Sequence, residues 1–360
     1  MADSSNKNFS QKEIRILLLL LFLSFFSVFI SRYERLYDPD AITPAVKTDT
    51  VAVFLHEPGS FEALIEAFNK QDVRFNETEL VWAGRIFGWN YFRPGRYEIK
   101  GFTDYDTFLS RLTQGQQDPV NVRIAAGMSP ERFSRNLSRV LRADSLAFIQ
   151  TLRDSSLLNK HKLDTTTLFG RMLPDTYQMF WTTPPKAFVD RVLDVFENRV
   201  AGRYEERLEE LKYSLDEMLT LASIVEWEAK LDSEKKTISG LYWNRLRRGM
   251  RLQADPTVLY AIGERRRVLY EDYDIDHPFN TYQISGLPPG PITNPSYSSI
   301  EAALYPEDHD YIYMVAVPDS KGEHDFSKTY SEHRRKSQKW QRWIREQYRL
   351  KREREREQSQ

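Results

Sequence analysis

The sequence contains no cysteine, and that absence excludes several kinds of chemistry at once. Disulfide bonds, thiolate nucleophiles and cysteine-ligated zinc sites are all ruled out. An excess of charge of one sign is also missing, because 51 Lys and Arg residues face 52 Asp and Glu residues. We therefore expect no nucleic-acid partner, since such proteins carry a basic surface, and the charge balance names no other ligand.

The usual signatures of metal, serine and nucleotide chemistry are missing as well. The six histidines show no H-E-x-x-H spacing, so we expect no metal site. No G-x-S-x-G motif or glycine-rich phosphate loop occurs, so neither a serine nucleophile nor a bound nucleotide has support. We expect no cofactor, and an exported peptidase lacks a recognisable nucleophile or metal.

What the sequence does contain is a charge-free apolar run near the N-terminus, at residues 16–30. At 1.5 Å per residue it covers about 22 Å of a hydrocarbon core about 30 Å thick, and flanking Lys and Arg side chains can snorkel across the difference. A cleaved signal peptide is the alternative, but no small-x-small cleavage site follows the run. We predict an uncleaved transmembrane anchor at residues 16–31 after a cytoplasmic stub at 1–15, with the body exported.

Turn-forming residues with little apolar periodicity predict a linker at residues 32–49. A small α+β module is expected to follow at residues 50–125. Its predicted elements are a buried strand at 51–55, a helix capped by Ser60, a helix at 80–87, a helix opened by a Thr103-x-x-Asp106 capping box, and a strand at 120–124.

The remainder is predicted to be mainly helical with short strands, so the expected fold class is α+β throughout. Connecting helices are expected at residues 126–165, where Ser129-Pro130 is a typical helix start. A larger domain at residues 166–340 combines long apolar helices with a Pro-rich loop and short strands. Residues 341–360 interleave charges of both signs, which predicts a solvated helical tail.

Residues 215–230 are the most informative stretch, because apolar residues at helical spacing mark one face of the predicted helix. Glu226 lies on that face, whereas Glu228 is rotated by about 200° and is expected to meet solvent; Ser223 is expected to lie off the apolar stripe. Desolvation favours the protonated form of a carboxyl group, so Glu226 is a candidate general acid. The alternative is a buried glutamate held by an arginine or by backbone groups for structural reasons.

Asp255 stands before Pro256 at the predicted start of a further helix that ends at Gly263. An aspartate in that position is expected to cap the helix, which is its simplest explanation. Gln253, two residues earlier, is a candidate to face a cleft.

A Pro-rich loop at residues 286–295 follows Asn280 and Tyr282 and contains Asn294. Its four prolines make the backbone stiff, and polar side chains beside apolar proline edges suit a sugar; an ordinary rigid connector is the equal alternative. His324 lies in a turn-rich region after a strand predicted at 311–317, and it either acts there or is simply exposed.

Taken together and in this order, these segments resemble the MltG/YceG-like family of endolytic murein transglycosylases. The resemblance covers residues from about 120 to 340, and the motifs that carry it are LASIVE at 221–226, NRL at 244–246, RLQADPTV at 251–258 and the Pro-rich loop at 286–295. The first module resembles, more loosely, the LysM-like domain usually found there, and an N-terminal anchor is also usual.

The resemblance implies cleavage between N-acetylmuramic acid (MurNAc) and N-acetylglucosamine (GlcNAc) inside a glycan strand, leaving a 1,6-anhydroMurNAc end and terminating or trimming nascent strands. Peptidoglycan is then the substrate, peptidoglycan synthases are further partners, and the expected location is the bacterial inner membrane with the body on the periplasmic side. Glu226 corresponds to the catalytic glutamate, serving first as acid and then as base for the sugar's own 6-hydroxyl. The positions that correspond to the substrate groove are Gln253, Asp255, Asn280, Tyr282, Asn294 and His324.

Two positions depart from the family pattern: Phe169 stands where an acid is often found, and Trp227 where a polar residue is common. Phe169 means either a lost helper carboxylate or a tolerated apolar exchange. Two other functions stay open. A hydrolytic muramidase would need a second carboxyl group about 5–9.5 Å from the first, for which Asp255 and Asp175 are available. A wall-binding scaffold would bind glycan without cutting it.

Overall fold

A computed structural model describes residues 10–46, 50–101 and 103–357. The chain divides into two compact units. One runs up to Val120 and includes Phe180–Thr182, and the other comprises Asn121–Met179 and the chain from Thr183 onward. Both units combine helices with short two-stranded sheets, so the predicted α+β class is confirmed at this level.

The first helix, α1 (Gln11–Leu36), has 26 residues and includes the predicted anchor. It is long and apolar enough to cross a membrane, at about 39 Å for 1.5 Å per residue. Ser10 and Glu13 form a capping box at its start. At its end, Leu36 is buried in the core of the first unit and Arg35 bonds Glu79 at 3.1 Å, so the last turn of α1 is part of that unit.

Over residues 10–46, 50–101 and 103–120, which the structure describes, the first unit contains four strands and three further helices. Strand β1 pairs with β3 and β2 pairs with β4, both antiparallel, and the α2–α4 helices bury leucine and phenylalanine side chains against them. The elements are β1 (Ile42–Pro44), β2 (Thr50–Leu55), α2 (Phe61–Lys70), β3 (Val73–Phe75), α3 (Glu77–Phe87), β4 (Gly95–Lys100) and α4 (Tyr105–Gln114).

Helix starts in this unit differ in detail from the sequence prediction. The cap of α4 is Asp104, which accepts a hydrogen bond from the Thr107 backbone at 2.7 Å, so the predicted Thr103-x-x-Asp106 box is wrong by one residue. Ser60 does occupy the N-cap of α2, but its hydroxyl bonds Glu62 instead of a backbone N–H. The pattern thus located each helix correctly while misassigning the atoms that cap it.

The second unit is dominated by helices around one buried core. Strand β5 pairs with β6, and β7 pairs antiparallel with β8. The elements are β5 (Pro119–Ile124), α5 (Pro130–Ser138), α6 (Ser145–Thr151), α7 (Ser155–His161), β6 (Asp175–Phe180), α8 (Pro185–Arg199), α9 (Glu205–Leu211), α10 (Leu215–Glu228), α11 (Lys235–Arg247), α12 (Asp255–Ile262), α13 (Tyr297–Leu304), β7 (Tyr313–Ala316), β8 (His324–Ser327) and α14 (Tyr330–Glu357).

Helix α10 is the centre of this core, and it is packed by α11, α12 and α13. Every residue from Met218 to Val225 is buried, so the expectation of a single apolar face is wrong. Ser223, which was expected off the stripe, is fully buried; its hydroxyl donates to the Thr220 carbonyl at 2.7 Å and accepts from the Ile292 N–H at 3.0 Å. A helix enclosed on all sides has no solvent face to which periodicity can assign its polar residues.

Helix α14 carries the C-terminal residues that the sequence predicts to be a solvated helix. It starts at Tyr330, contains no buried residue and has ion pairs at helical spacing, such as Arg349 with Glu346. Residues 341–357 therefore continue a helix that begins eleven residues earlier, and charge-rich turns of this kind are stabilised mainly by such pairs.

Candidate active site

Two glutamates occupy the last turn of α10, with Trp227 between them. Successive side chains on an α-helix are about 100° apart, so these three residues point in three directions. The helix ends where Ala229 takes an extended conformation. The environments of the two carboxyl groups differ sharply, and this difference determines what each can do.

Glu226 points inward, as predicted, and its Oε2 atom accepts four hydrogen bonds. The donors are Lys235 Nζ at 3.2 Å, the Ser296 N–H at 3.0 Å, Ser296 Oγ at 2.5 Å and Ser299 Oγ at 2.6 Å. Ser296 is the N-cap of α13, so the helix terminus adds to the favourable field. These four bonds hold the Glu226 carboxyl group in one position at the end of α10.

Lys235 shows that the Glu226 environment is an ion-paired cluster within the protein. Its side chain is 5% exposed and that of Glu226 is 13% exposed, and Lys235 also bonds Asp232 at 2.7 Å and Ser298 at 3.0 Å. The cluster joins the C-terminal end of α10 to the starts of α11 and α13. This arrangement matches the alternative in which Glu226 is a buried glutamate held for structural reasons. Its charged partner is Lys235 and not an arginine.

Glu228 is half-buried against α11, so the expectation that it meets solvent is wrong. Its Oε1 accepts a hydrogen bond from the Tyr242 hydroxyl at 2.8 Å. Desolvation raises the pKa of Glu228 to about 7, and the negative charge of Asp255 adds to the rise, while the Tyr242 bond and the charge of Arg245 oppose it. The physical cause of the failed expectation is the enclosure of α10 over Met218–Val225, where the helix has no solvent face.

Asp255 faces two tyrosines instead of capping α12. Tyr282 donates to its Oδ1 at 2.7 Å and Tyr273 at 3.3 Å, and burial together with the Asp255 charge raises the pKa of Tyr282. The N-cap of α12 is Ala254, with Asp255 as the first helical residue, so the predicted capping role is wrong. The carboxylate of Asp255 is exposed and held by phenolic donors beside Glu228.

Gln253 and Arg245 complete this side of α10. Gln253 is exposed and has a left-handed backbone with φ of 49°, a conformation that costs a non-glycine residue about 1 kcal/mol. Arg245 is 7% exposed and its guanidinium bonds the carbonyls of Ile312 and Leu252 at 2.7 and 2.6 Å. A weaker contact at 3.5 Å joins Arg245 to Gln253 Oε1.

Asn280 is near this cluster but is committed to holding the chain. It is fully buried, donates to the carbonyls of Tyr273 and Ile275 at 3.0 and 2.8 Å, and accepts from the Tyr282 N–H at 3.0 Å. Asn280 therefore positions the two tyrosines that hold Asp255. Among the predicted groove residues, Gln253, Asp255, Asn280 and Tyr282 are brought together.

Asn294 and His324 bond to other parts of the second unit. Asn294 is fully buried, donates to the carbonyls of Ala125 and Met172, and accepts from the Met128 N–H at 2.9 Å. His324 contacts Glu234 through Nδ1 and through its backbone N–H, both at 2.8 Å.

The sequence pattern missed Glu228, Tyr242 and Lys235. The available signal was the composition of residues 218–225, which contain six apolar residues and no charged residue. Such a segment indicates a helix that is buried all round, so every polar residue near its end is a candidate. For metals, the described part of the chain contains no cluster of three or more histidine, aspartate and glutamate side chains suited to hold an ion.

The fold and the site define an α+β protein with a membrane-length N-terminal helix, whose candidate chemistry is carried by carboxyl groups at the end of a buried helix. The chain belongs to the YceG-like family, whose model matches residues 53–339.

The relatives are similar over most of this chain. An endolytic murein transglycosylase of Bacillus subtilis (strain 168) is 31% identical over 325 residues, which cover 85% of this chain and 89% of the relative. The endolytic murein transglycosylase of Streptococcus pneumoniae serotype 2 (strain D39) is 27% identical over 293 residues, covering 70% of this chain and 53% of the relative. A crystal structure of a yceG-like protein from Listeria monocytogenes matches 80% of this chain and 98% of that chain, with a TM-score of 0.57 and 28% identity.

Proposed function

We propose that this protein is an endolytic peptidoglycan lytic transglycosylase that cuts MurNAc–GlcNAc bonds within glycan strands and leaves 1,6-anhydroMurNAc ends. The similarity to the Bacillus subtilis murein transglycosylase over 89% of that relative's length supports the substrate and the reaction. The observation that carries the proposal is a carboxyl group, Glu228, that accepts a hydrogen bond from Tyr242 and whose pKa is raised by desolvation to about 7. A general acid and base is most effective when its pKa is near the working pH.

The choice between the two glutamates is part of this proposal. Glu226 was the residue expected from the sequence motif, and its catalytic role stays a prediction. Its Oε2 atom is fully engaged within the protein, because it accepts four hydrogen bonds, one from Lys235 and three from Ser296 and Ser299. Glu228 has one hydroxyl donor and is desolvated, so it can hold a proton near neutral pH and release it. We assign the acid and base role to Glu228, with Glu226 as the residue that anchors the end of α10.

The reaction needs one carboxyl group used twice. Protonated Glu228 gives its proton to the glycosidic oxygen as the bond to the MurNAc anomeric carbon breaks. The resulting carboxylate then removes the proton from the 6-hydroxyl of the same MurNAc, whose oxygen attacks the anomeric carbon and closes the anhydro ring. No water enters the product, and Glu228 ends protonated as it began.

A hydrolytic muramidase is the second candidate, because the charge of Asp255 acts directly on Glu228. A second carboxylate could direct a water molecule to the anomeric carbon. Cleavage of purified strands in ¹⁸O-labelled water separates the two reactions. The proposal expects anhydro ends without label; products that are one water heavier and carry ¹⁸O would establish hydrolysis, and wall binding without any release of fragments would establish a scaffold.

We also propose a membrane location, a LysM-like module and neighbouring synthases for this enzyme. Helix α1 supports a single-pass anchor in the bacterial inner membrane, with the body on the periplasmic side where glycan strands are. The antiparallel pair of β2 and β4, with α2 and α3 between them in the chain, supports a LysM-like module. An anchored enzyme that trims nascent strands would work beside peptidoglycan synthases.

A further inference from the structure

A cavity of about 740 Å³ adjoins the candidate active site on the Trp227 side of α10. Trp227 separates Glu226 from Glu228 in the chain, and its indole N–H bonds the Gly127 carbonyl at 3.2 Å. Residues of α5, α6 and α12 form the other walls. Neither glutamate lines this cavity, so the catalytic proposal leaves its purpose open.

The floor of the cavity is apolar and aromatic. Phe169 and Trp227, the two positions at which the chain departs from the family pattern, both line it, together with Leu168, Tyr260 and Ile292. Phe169 is 6% exposed and packs edge-on against Phe133. Phe169 and Trp227 therefore belong to the same surface, and their aromatic rings suit it to bind apolar groups and flat faces.

Charged side chains line the rim, and the three arginines there outnumber the two glutamates by one. Arg132, Arg153 and Arg265 line the cavity with Glu131 and Glu264, and Glu264 lies 3.5 Å from Arg266, outside the lining.

Arg265 is fixed in place at this rim. Its guanidinium lies 4.2 Å from the centre of the Trp227 ring and donates to the Gly127 carbonyl at 2.7 Å. Burial and the like charge of Arg132 lower the pKa of Arg265, so these two cations face the same space. A carboxylate placed between them would offset their repulsion.

The cavity also lies within reach of the candidate acid. Helix α12 starts at Asp255, whose charge acts on Glu228, and is followed by Gly263, which lines the cavity. Its 8 residues cover about 12 Å. An extended peptide advances about 3.4 Å per residue, so three or four residues span that distance.

We infer that this cavity binds the stem peptide carried by MurNAc, with its carboxylates at Arg132 and Arg265 and its small apolar side chains on the Trp227 and Phe169 floor. The inference rests on the proposed function, because it takes the substrate to be a peptide-bearing glycan strand. It makes the enzyme selective for strands whose peptides have not been removed.

The test measures binding of two soluble probes to the full chain in detergent by titration calorimetry: the GlcNAc–MurNAc disaccharide with its stem peptide, and the same disaccharide without it. The peptide-bearing probe is expected to bind roughly tenfold more tightly than the peptide-free probe. A difference of this size is what one charge-assisted hydrogen bond contributes to binding. Arg132→Ala should remove most of that advantage. Arg135→Ala is the matched control, since it is an exposed arginine on the same helix that does not line the cavity.

The probe contains no MurNAc–GlcNAc bond, so the binding result does not depend on cleavage. Equal affinity for the two probes, or an equal effect of Arg132→Ala and Arg135→Ala, overturns the inference. If the peptide-bearing probe is preferred while intact strands are never cut by the wild type, the binding site stands and the proposed transglycosylase function fails.

Discussion

Among single residues, the proposed reaction requires a carboxyl group that can hold a proton near neutral pH, and the raised pKa of Glu228 meets this requirement. Glu226 and Glu228 have the same chemistry and nearly the same place in the sequence. Lys235 and three serine-derived donors surround Glu226, whereas Glu228 has Tyr242 and a desolvated setting. Local environment, and not residue type, assigns the roles.

The raised pKa of Glu228 predicts the pH dependence of cleavage. The protonated form donates the first proton, so kcat/KM should be level below about pH 7 and fall about tenfold per pH unit above it. Measurement of kcat/KM for strand cleavage between pH 5 and pH 9 would show this fall above about pH 7. A rate that is already falling between pH 4 and pH 5 would point to a carboxyl group with an ordinary pKa and contradict the assignment.

Tyr242→Phe tests the same group through its hydrogen bond. The Tyr242 hydroxyl lowers the pKa of Glu228, so its loss should raise that pKa and move the falling limb of the pH profile upward by about one unit. Tyr213→Phe, a change in a tyrosine that packs on Trp243 away from the carboxyl, is the matched control and should leave the profile in place. A downward displacement in Tyr242→Phe would show that Glu228 does not set the profile.

At the scale of elements, the Glu226 cluster connects the end of α10 to α11 and α13. Breaking a buried ion pair by removing one partner leaves an uncompensated charge. Lys235→Ala should therefore lower the free energy of unfolding by about 3 kcal/mol, measured as a fall in the denaturation midpoint of the second unit. Lys236→Ala, at the exposed neighbouring position, should change it by less than about 0.5 kcal/mol. Equal midpoints for the two variants would contradict a structural role for the cluster.

Sequence periodicity located most of these helices and strands, but it could not determine which of their faces are buried. The strand at 51–55, the helix after Ser129 and the helix over 215–228 are observed where patterns predict them. The orientation of Glu228 could not be predicted, because periodicity identifies a polar face only on a helix with one solvent face, and α10 has none over residues 218–225. The bonds of Asp255 to Tyr273 and Tyr282 join segments separated by 18 and 27 residues, and such contacts are set by tertiary packing.

At the scale of the whole molecule, the chain joins a membrane-length helix to two compact units. The family comparison covers residues 53–339 and leaves α1 outside the matched range. The length and apolar composition of α1 support a membrane anchor, and the last turn of α1 is held in the first unit by Leu36 and Arg35.

Removal of residues 10–31 should release the protein from membranes while leaving Leu36 and Arg35 in the first unit. The loss of the apolar run removes the segment that favours lipid over water. Cell fractionation should find the full chain with membranes and the shortened chain in the aqueous fraction. If the shortened chain stays with membranes after a high-salt wash, another part of the molecule provides the attachment.

The central claim is that Glu228 is the single acid and base of a lytic transglycosylase. Mass analysis of fragments released from purified peptidoglycan by the wild type, Glu228→Gln and Glu226→Gln tests it most directly. We predict 1,6-anhydro products from the wild type, a loss of at least about 10³-fold in Glu228→Gln, and anhydro products at a rate within about tenfold of the wild type in Glu226→Gln. Full activity of Glu228→Gln together with an inactive, folded Glu226→Gln would contradict the claim and return the role to Glu226.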